Sequence, residues 1–123
     1  MKLAICARGQ GLKAEVDERF GRCPYFVLVD MESRQVLETI ENSNAEASGG
    51  AGPQAAQLLS KHGVGAVALG NVGPNAVAAL EAAGIAAYSG ISGTVESTMQ
   101  KYAEGSLTKV TDPTVESHSG IKK

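Results

Sequence analysis

The stretch Val64–Tyr88, VGAVALGNVGPNAVAALEAAGIAAY, decides the fold. Apolar runs at residues 64–69 and 85–88 open and close it, and both predict short buried strands. Between them, Gly73-Pro74 predicts the start of a helix, because proline in the first helical turn loses no hydrogen bond. A strand–helix–strand unit of this kind requires two parallel strands joined by a right-handed crossover.

The segments on either side extend this unit into a sheet covered by helices. Alternating or β-branched runs predict further strands, and the two at residues 25–31 and 35–41 are close enough in sequence to form a hairpin. Two more helices are predicted, one beginning at Gly52-Pro53 and one after the capping residue Thr94. The predicted strands are 2–7, 25–31 and 35–41, and the predicted helices are 53–62 and 95–104, the latter capped by Thr94. We therefore expect a three-layer α/β/α fold with a mixed five-stranded sheet and one antiparallel strand.

Length and composition bound the class of protein. The chain has 123 residues, enough for about one domain. We place this domain at residues 1–105 and predict a flexible polar tail at 106–123, in which the role of His118 stays open. The net charge of −2 argues against nucleic-acid binding, and no apolar run approaches the ~20 residues of a membrane helix. With only two cysteines, a reducing compartment is expected, hence a cytoplasmic protein.

Glycine-rich loops precede all three predicted helices, at residues 48–53, 70–74 and 89–94. A helix N-terminus presents backbone N–H groups and the positive end of the helix dipole, and glycine allows a ligand to approach the backbone. In open α/β sheets, ligands bind at the carboxyl edge, where such loops lie. The sequence therefore predicts a crevice that accepts an anion. Four basic residues of an N-terminal basic segment are placed to complete it: Arg8, Lys13, Arg19 and Arg22.

Cys23 is the candidate metal ligand. It follows Arg22 directly and lies close to Arg19, so a thiolate would be stabilised there. Thiolates bind soft metals and metal sulfides. The alternative is that Cys23 is a small apolar filler before Pro24.

A second pattern points to a different function. Gly9-Gln10-Gly11-Leu12-Lys13-Ala14 matches the G-x-G-x-x-A dinucleotide fingerprint, and Asp30 follows about 20 residues later. A redox enzyme is therefore an alternative. Gly21 would end the following helix after barely two turns, which argues against this hypothesis.

Three motifs together carry a resemblance to a known family. They are Phe20-Gly21-Arg22 with Pro24-Tyr25-Phe26, then Gly49-Gly50-Ala51-Gly52, then Gly70-Asn71-Val72-Gly73-Pro74-Asn75-Ala76 running into Leu80 and Ala83-Gly84-Ile85. Over residues 1–105 the chain resembles the nitrogenase iron–molybdenum cofactor biosynthesis family of accessory factors, which includes small proteins similar to NifX and the terminal domain of NifB-type proteins. The resemblance implies a ribonuclease-H-like fold.

The resemblance also implies a function. It is the non-catalytic binding, storage or delivery of an anionic metal–sulfur cluster, either an iron–molybdenum cofactor precursor or a molybdenum–copper sulfide cluster. A cluster-donor or cluster-acceptor protein would be the partner. With the basic residues above, the expected contacts are Arg8, Arg19, Gly21, Arg22, Cys23, Gly49, Gly50, Gly52, Asn71, Gly73, Gly90, Gly93 and Thr94.

One position departs from the family pattern. Nitrogenase-specific members often carry histidine just before Phe-Gly, where this chain has Arg19. Imidazole ligation is impossible there, whereas a guanidinium suits an anion rich in sulfide or oxo groups. The runner-up function, from a different class, is a regulatory or interaction domain that binds a small organic anion or a nucleotide in the same crevice.

Overall fold

A computed structural model describes residues 1–42 and 51–111 of the chain. Its elements follow the predicted order of strands and helices, with one strand added at the end. The strands are β1 (Lys2–Ala7), β2 (Tyr25–Asp30), β3 (Gln35–Glu41), β4 (Ala66–Ala68), β5 (Ala86–Ser89) and β6 (Thr108–Lys109), and the helices are α1 (Ala51–Lys61), α2 (Pro74–Ala82) and α3 (Val95–Glu104).

The six strands form one mixed sheet in the order β3-β2-β1-β4-β5-β6. β1 pairs in parallel with β4, and β4 pairs in parallel with β5. β2 is antiparallel to both β1 and β3, as the predicted hairpin requires. Consequently β1, β3, β4 and β5 all run in the same direction and end at the same edge of the sheet.

The number of strands is a correction to the sequence-based expectation of five. The sixth strand, β6, pairs antiparallel with β5, so the sheet has two reversed strands, β2 and β6, rather than one. β6 lies inside the segment 106–123 that was expected to be a tail, and Leu107 beside it is buried. Residues 112–123, including His118, lie outside the described part of the chain. The ribonuclease-H-like assignment stays a prediction.

The helices cover both faces of the sheet and complete a three-layer α/β fold. α1 and α2 contact each other, whereas α3 contacts β1. α1 begins two residues before the expected Pro53, and α2 begins at Pro74 as predicted. Thr94 caps α3 and Gly105 ends it in the left-handed conformation, both as predicted.

The core is aliphatic and centred on β1. Five consecutive residues of this strand, 3–7, are completely buried, because β2 and β4 pair with both of its edges and helices cover its faces. Small side chains dominate at the helix contacts, including Ala55, Ala56 and Ala76. This packing holds the carboxyl ends of the central strands in a fixed position, and the candidate site is built there.

Candidate functional site

The loops that precede the helices converge on one edge of the sheet. The parallel strands β3, β4 and β5 lead into α1, α2 and α3 respectively, so every helix begins at the carboxyl edge. This is the edge at which the glycine-rich loops predicted a crevice. The three helix N-termini are nevertheless not equivalent.

The first turns of α1 and α2 lie directly against each other. A Cβ built on Gly52 would lie 2.8 Å from the Cβ of Ala76, closer than real Cβ atoms approach. Gly52 was expected to let a ligand approach the backbone. Its observed role is instead to let α2 approach α1, so that two positive helix ends are adjacent.

This contact predicts a compensating pair of substitutions. Gly52→Ala should lower the free energy of unfolding by about 1–3 kcal/mol through overpacking. Adding Ala76→Gly removes the opposing methyl group and should recover part of that loss. Urea unfolding of the two single variants and the double variant measures the coupling. Strictly additive effects would show that the two helix starts do not touch in solution.

The N-terminus of α2 has backbone donors that the described chain leaves unused. Gly73 is its N-cap residue and provides no side-chain cap, and Pro74 follows. Val77 N–H donates to the Gly73 carbonyl at 3.0 Å, which closes the first turn. No residue in the ranges 1–42 and 51–111 accepts a hydrogen bond from the N–H of Asn75 or Ala76. These are the donors that an anion needs.

The N-terminus of α3, by contrast, is closed by the chain itself. Val95 N–H donates to the Ala14 carbonyl and Glu96 N–H to the Leu12 carbonyl, both at 2.9 Å. Ser97 N–H donates to the Thr94 hydroxyl at 3.2 Å.

The expected ligand contacts in the loop before α3 stay a prediction, but the structure shows another role for these residues. The geometry gives Gly90, Gly93 and Thr94 structural roles. Both glycines adopt positive φ, 101° and 77°, which other residues rarely adopt. The Gly93 carbonyl accepts from Val16 N–H at 3.0 Å, and Thr94 forms the capping box with Ser97. None of the three presents a free helix end to a ligand.

The basic segment, residues 8–23, runs along this edge and is pinned to it by backbone bridges. Isolated bridges join Ala7 to Val16, Glu15 to Thr94 and Arg19 to Asn71. Asn71 N–H donates to the Glu18 carbonyl at 2.6 Å. Within this segment residues 9–14 form turns, so the helix required by the dinucleotide fingerprint is absent from these described residues. The redox-enzyme alternative loses its structural basis.

An ion pair with the buried carboxyl of Asp17 holds Arg19 beside the loop before α2. The Asp17 carboxyl is 1 % exposed and accepts from Arg19 Nε at 3.0 Å and from Nη2 at 2.8 Å. The Arg19 backbone N–H donates to the same carboxyl at 3.0 Å. The Arg19 side-chain hydrogen bonds lower the pKa of Asp17, and the charge of Arg8 adds to this effect, although burial opposes it. Arg19 is thereby oriented while its side chain stays 63 % exposed.

This ion pair predicts an acid-sensitive contribution to stability. Because the folded-state pKa of Asp17 is lowered, its contribution is complete above the unfolded value of about 3.9 and is lost as pH falls through the folded value. Asp17→Asn should therefore cost about 2 kcal/mol of unfolding free energy at pH 7. The difference in unfolding free energy between this variant and the wild type should become smaller below pH ~4. Urea unfolding at several pH values between about 2 and 7 tests this prediction. Glu18→Gln, which changes an exposed residue, is the control. A difference in unfolding free energy that does not depend on pH would contradict the role of the ion pair.

A tight turn over Arg19–Cys23 carries the other expected contacts. Arg22 and Cys23 N–H both donate to the Arg19 carbonyl at 3.0 Å, and Gly21 is buried with φ of 91°. Arg22 is exposed, whereas Cys23 is completely buried. Ligation of a cluster in the crevice by Cys23 would therefore require this turn to open.

Two residues of the site had not been singled out from the sequence. Asp17 lies in the run Asp17-Glu18-Arg19, where two acidic residues directly before an arginine were a usable signal. Asn42 is 4 % exposed, and its side-chain amide donates to the carbonyls of Gly21 and Cys23 at 3.0 and 2.9 Å. Nothing in its sequence context indicates that it secures a turn about 20 residues away.

The remaining expected contacts are only partly described. Gly49 and Gly50 lie outside the described residues, whereas Asn71 and Gly73 lie beside the α2 N-terminus and Arg8 is exposed near Asp17. In residues 1–42 and 51–111, no group of three or more His, Cys, Asp or Glu side chains is arranged to hold a metal ion. No helix in the same ranges is long and apolar enough to cross a membrane.

The fold defines a class: a small three-layer α/β protein with a mixed six-stranded sheet, in which all three helices begin at one edge. The chain belongs to the family described as "Dinitrogenase iron-molybdenum cofactor", whose profile matches residues 1–105. This confirms the resemblance read from the three motifs. The family and its structural neighbours fit a non-catalytic role connected with a metal cluster.

Similar proteins come from archaea and bacteria. An uncharacterized protein of Methanocaldococcus jannaschii is 32 % identical over 92 residues, covering 73 % of this chain and 78 % of its own. The apo form of the orange protein from Desulfovibrio gigas is 38 % identical, with a TM-score of 0.86 over 91 % of this chain and 94 % of that one. A candidate NifB protein from Thermotoga is 39 % identical, with a TM-score of 0.79 over 92 % and 96 %.

Proposed function

We propose that this protein binds an anionic metal–sulfur cluster and delivers it to, or receives it from, a partner protein, without catalysing a reaction. The cluster would contain molybdenum together with iron or copper. The observation that carries the proposal is the α2 N-terminus, where the N–H groups of Asn75 and Ala76 find no acceptor among residues 1–42 and 51–111. This helix end lies beside the first turn of α1, and Arg19 bridges to Asn71 in the loop before it. Such a cradle holds charge through backbone dipoles and guanidinium groups.

The proposed site uses a subset of the residues expected from the sequence. In this proposal Asn71 and Gly73 contact the anion from the loop before α2. Gly52 lets α1 pack closely against α2, so that the positive end of the α1 dipole also faces the anion. Arg19 and Arg22 provide exposed guanidinium groups on the neighbouring turn. Gly49 and Gly50 complete the loop before α1 in this proposal.

Binding by charge and hydrogen bonds suits a carrier better than direct ligation. A cluster held by several protein ligands exchanges slowly, whereas one held by N–H groups and guanidinium groups can leave when a partner offers thiolates. Arg19 stands where nitrogenase-specific members often carry histidine, and this favours electrostatic retention. The similarity to the orange protein supports a bound group, because the term apo form implies that the orange protein also exists with a group bound. A carrier of this kind would act in the cytoplasm.

Reconstitution with a defined anion tests the proposal. The protein is incubated without oxygen with tetrathiomolybdate, with and without Cu(I), and then desalted. The expected result is a coloured protein with stoichiometric molybdenum by elemental analysis. Melting temperatures are measured in parallel with nucleotides and small organic anions. Absence of retained molybdenum combined with stabilisation by a nucleotide would overturn the carrier role in favour of a regulatory domain.

A further inference from the structure

A single buried side chain ties the end of β3 to the Arg19–Cys23 turn. Asn42 directly follows β3 and is 4 % exposed. Its side-chain amide donates to the Gly21 carbonyl at 3.0 Å and to the Cys23 carbonyl at 2.9 Å. Its backbone N–H donates to the Pro24 carbonyl, also at 2.9 Å. One residue therefore satisfies three carbonyls in and beside the turn.

The chemistry of these contacts requires an amide side chain. The last regular pair between β2 and β3 joins Tyr25 to Glu41, so Asn42 extends the pairing by one position. A strand residue offers one backbone N–H, whereas an asparagine side chain adds two more donors. A carboxylate of the same shape would present only acceptors to the carbonyls. Asn42 is thus matched to the turn and not simply a residue at the end of a strand.

The two arginines beside the α2 N-terminus are held in different ways. The side chain of Arg19 is oriented by its own ion pair. For Arg22 the printed contacts are on the backbone, since its N–H donates to the Arg19 carbonyl at 3.0 Å. The carbonyls that accept from Asn42 belong to Gly21 and Cys23, the residues directly before and after Arg22. The Asn42 amide therefore fixes the backbone on both sides of Arg22.

We propose that Asn42 is a positioning residue for the bound anion, which it serves by holding Arg22 on a preformed turn beside the α2 N-terminus. This role rests on the function proposed above, whereas the hold of Asn42 on the turn does not. A group that is fixed before binding loses less conformational freedom when the ligand arrives, so its contact contributes more to affinity. Since β3 leads into α1, Asn42 also fixes the turn relative to the strand that precedes this helix.

Hydrogen exchange tests the hold on the turn in the absence of any ligand. In Asn42→Ala two carbonyls lose their donor, and water can enter the space that the amide leaves. The N–H groups of Arg22 and Cys23 should then exchange about tenfold faster than in the wild type, relative to the N–H groups of β1. Exchange at these two positions that stays unchanged relative to β1 would overturn the proposal.

Binding measurements test the positioning role through a double-mutant cycle. Tetrathiomolybdate affinity is measured without oxygen for the wild type, Asn42→Ala, Arg22→Gln and the double variant. Asn42→Ala alone should weaken binding about tenfold, because Arg22 is no longer held. In the Arg22→Gln background the same change should weaken binding less than about twofold, because the guanidinium that Asn42 positions is already gone. A purely structural role would not depend on Arg22, so equal effects in both backgrounds would overturn the proposal.

Val29→Ala separates positioning from a general loss of stability. Val29 is completely buried and lies near the end of β2 that is remote from the turn. Its truncation destabilises the core but should leave the affinity for tetrathiomolybdate unchanged. If Val29→Ala weakens binding as much as Asn42→Ala, the effect is one of stability and the proposal is overturned.

Two further outcomes are also decisive. If Asn42→Ala does not fold, Asn42→Ser takes its place and is judged by the same criteria, since its hydroxyl keeps a polar group in the space. If the wild type does not bind tetrathiomolybdate, the proposed function fails and the positioning role fails with it. Hydrogen exchange would still decide in that case whether Asn42 holds the turn.

Discussion

Gly70→Ala should lower the stability of the protein strongly, because Gly70 lies where the basic segment packs against the loop after β4. Of the glycine-to-alanine substitutions at this contact, we expect it to have the largest effect. A Cβ at residue 70 would lie 2.6 Å from the Glu18 Cβ and 2.7 Å from its Cα and carbonyl oxygen. Two of these atoms are backbone and cannot rotate away. We therefore expect a loss of about 3 kcal/mol of unfolding free energy, at the upper end of overpacking effects.

The damage should extend beyond the point of contact. Relieving the clash requires Glu18 to move away from the loop after β4, which breaks the hydrogen bond from Asn71 N–H to the Glu18 carbonyl. Arg19 would then lose its bridge to Asn71, so binding of tetrathiomolybdate should fall together with stability. Urea unfolding and anaerobic binding measure the two effects.

Gly9→Ala is the matched control for this substitution. A Cβ there would contact only Ala14, at an ordinary distance of 3.6 Å, and Gly9, like Gly70, is not among the glycines with positive φ. It should change stability by less than ~1 kcal/mol. If the two variants unfold at the same urea concentration, the basic segment does not pack against the β4 loop as described.

The contrast between β6 and the rest of the sheet shows what sequence patterns can predict. The parallel strands and their helices follow from apolar runs separated by Gly-Pro, and α3 follows from Thr94 and Gly105, since all these signals are local. β6 consists of Thr108 and Lys109, both exposed, and has no apolar alternation. It is a strand only because β5 offers an unpaired edge, which is a tertiary effect.

The same distinction explains the candidate site. Glycine-rich loops correctly predicted that helix starts would gather at one edge. They did not show which of these starts keep N–H groups that have no acceptor in the described part of the chain. That depends on Leu12 and Ala14, whose carbonyls reach α3 across about 80 residues of chain.

Arg22→Gln should weaken binding of tetrathiomolybdate about tenfold or more. Arg22 is exposed on the turn beside the α2 N-terminus, and its side chain is not part of the ion pair between Asp17 and Arg19. Losing a charge-assisted hydrogen bond costs about 1.5–3 kcal/mol, and 1.4 kcal/mol corresponds to a factor of ten in Kd. Stability should change little, because the substituted side chain lies at the surface.

Arg34→Gln makes the same change in net charge at the opposite end of the sheet. Arg34 follows Asp30, which pairs with Lys2 at the start of β1, whereas the proposed site lies where β1 ends. Equal weakening by both substitutions would mean that the anion responds only to total charge. If it is held on the Arg19–Cys23 turn, Arg22→Gln alone should weaken binding. The salt dependence of the remaining affinity should also be shallower in that variant, because one cation fewer is available to be screened.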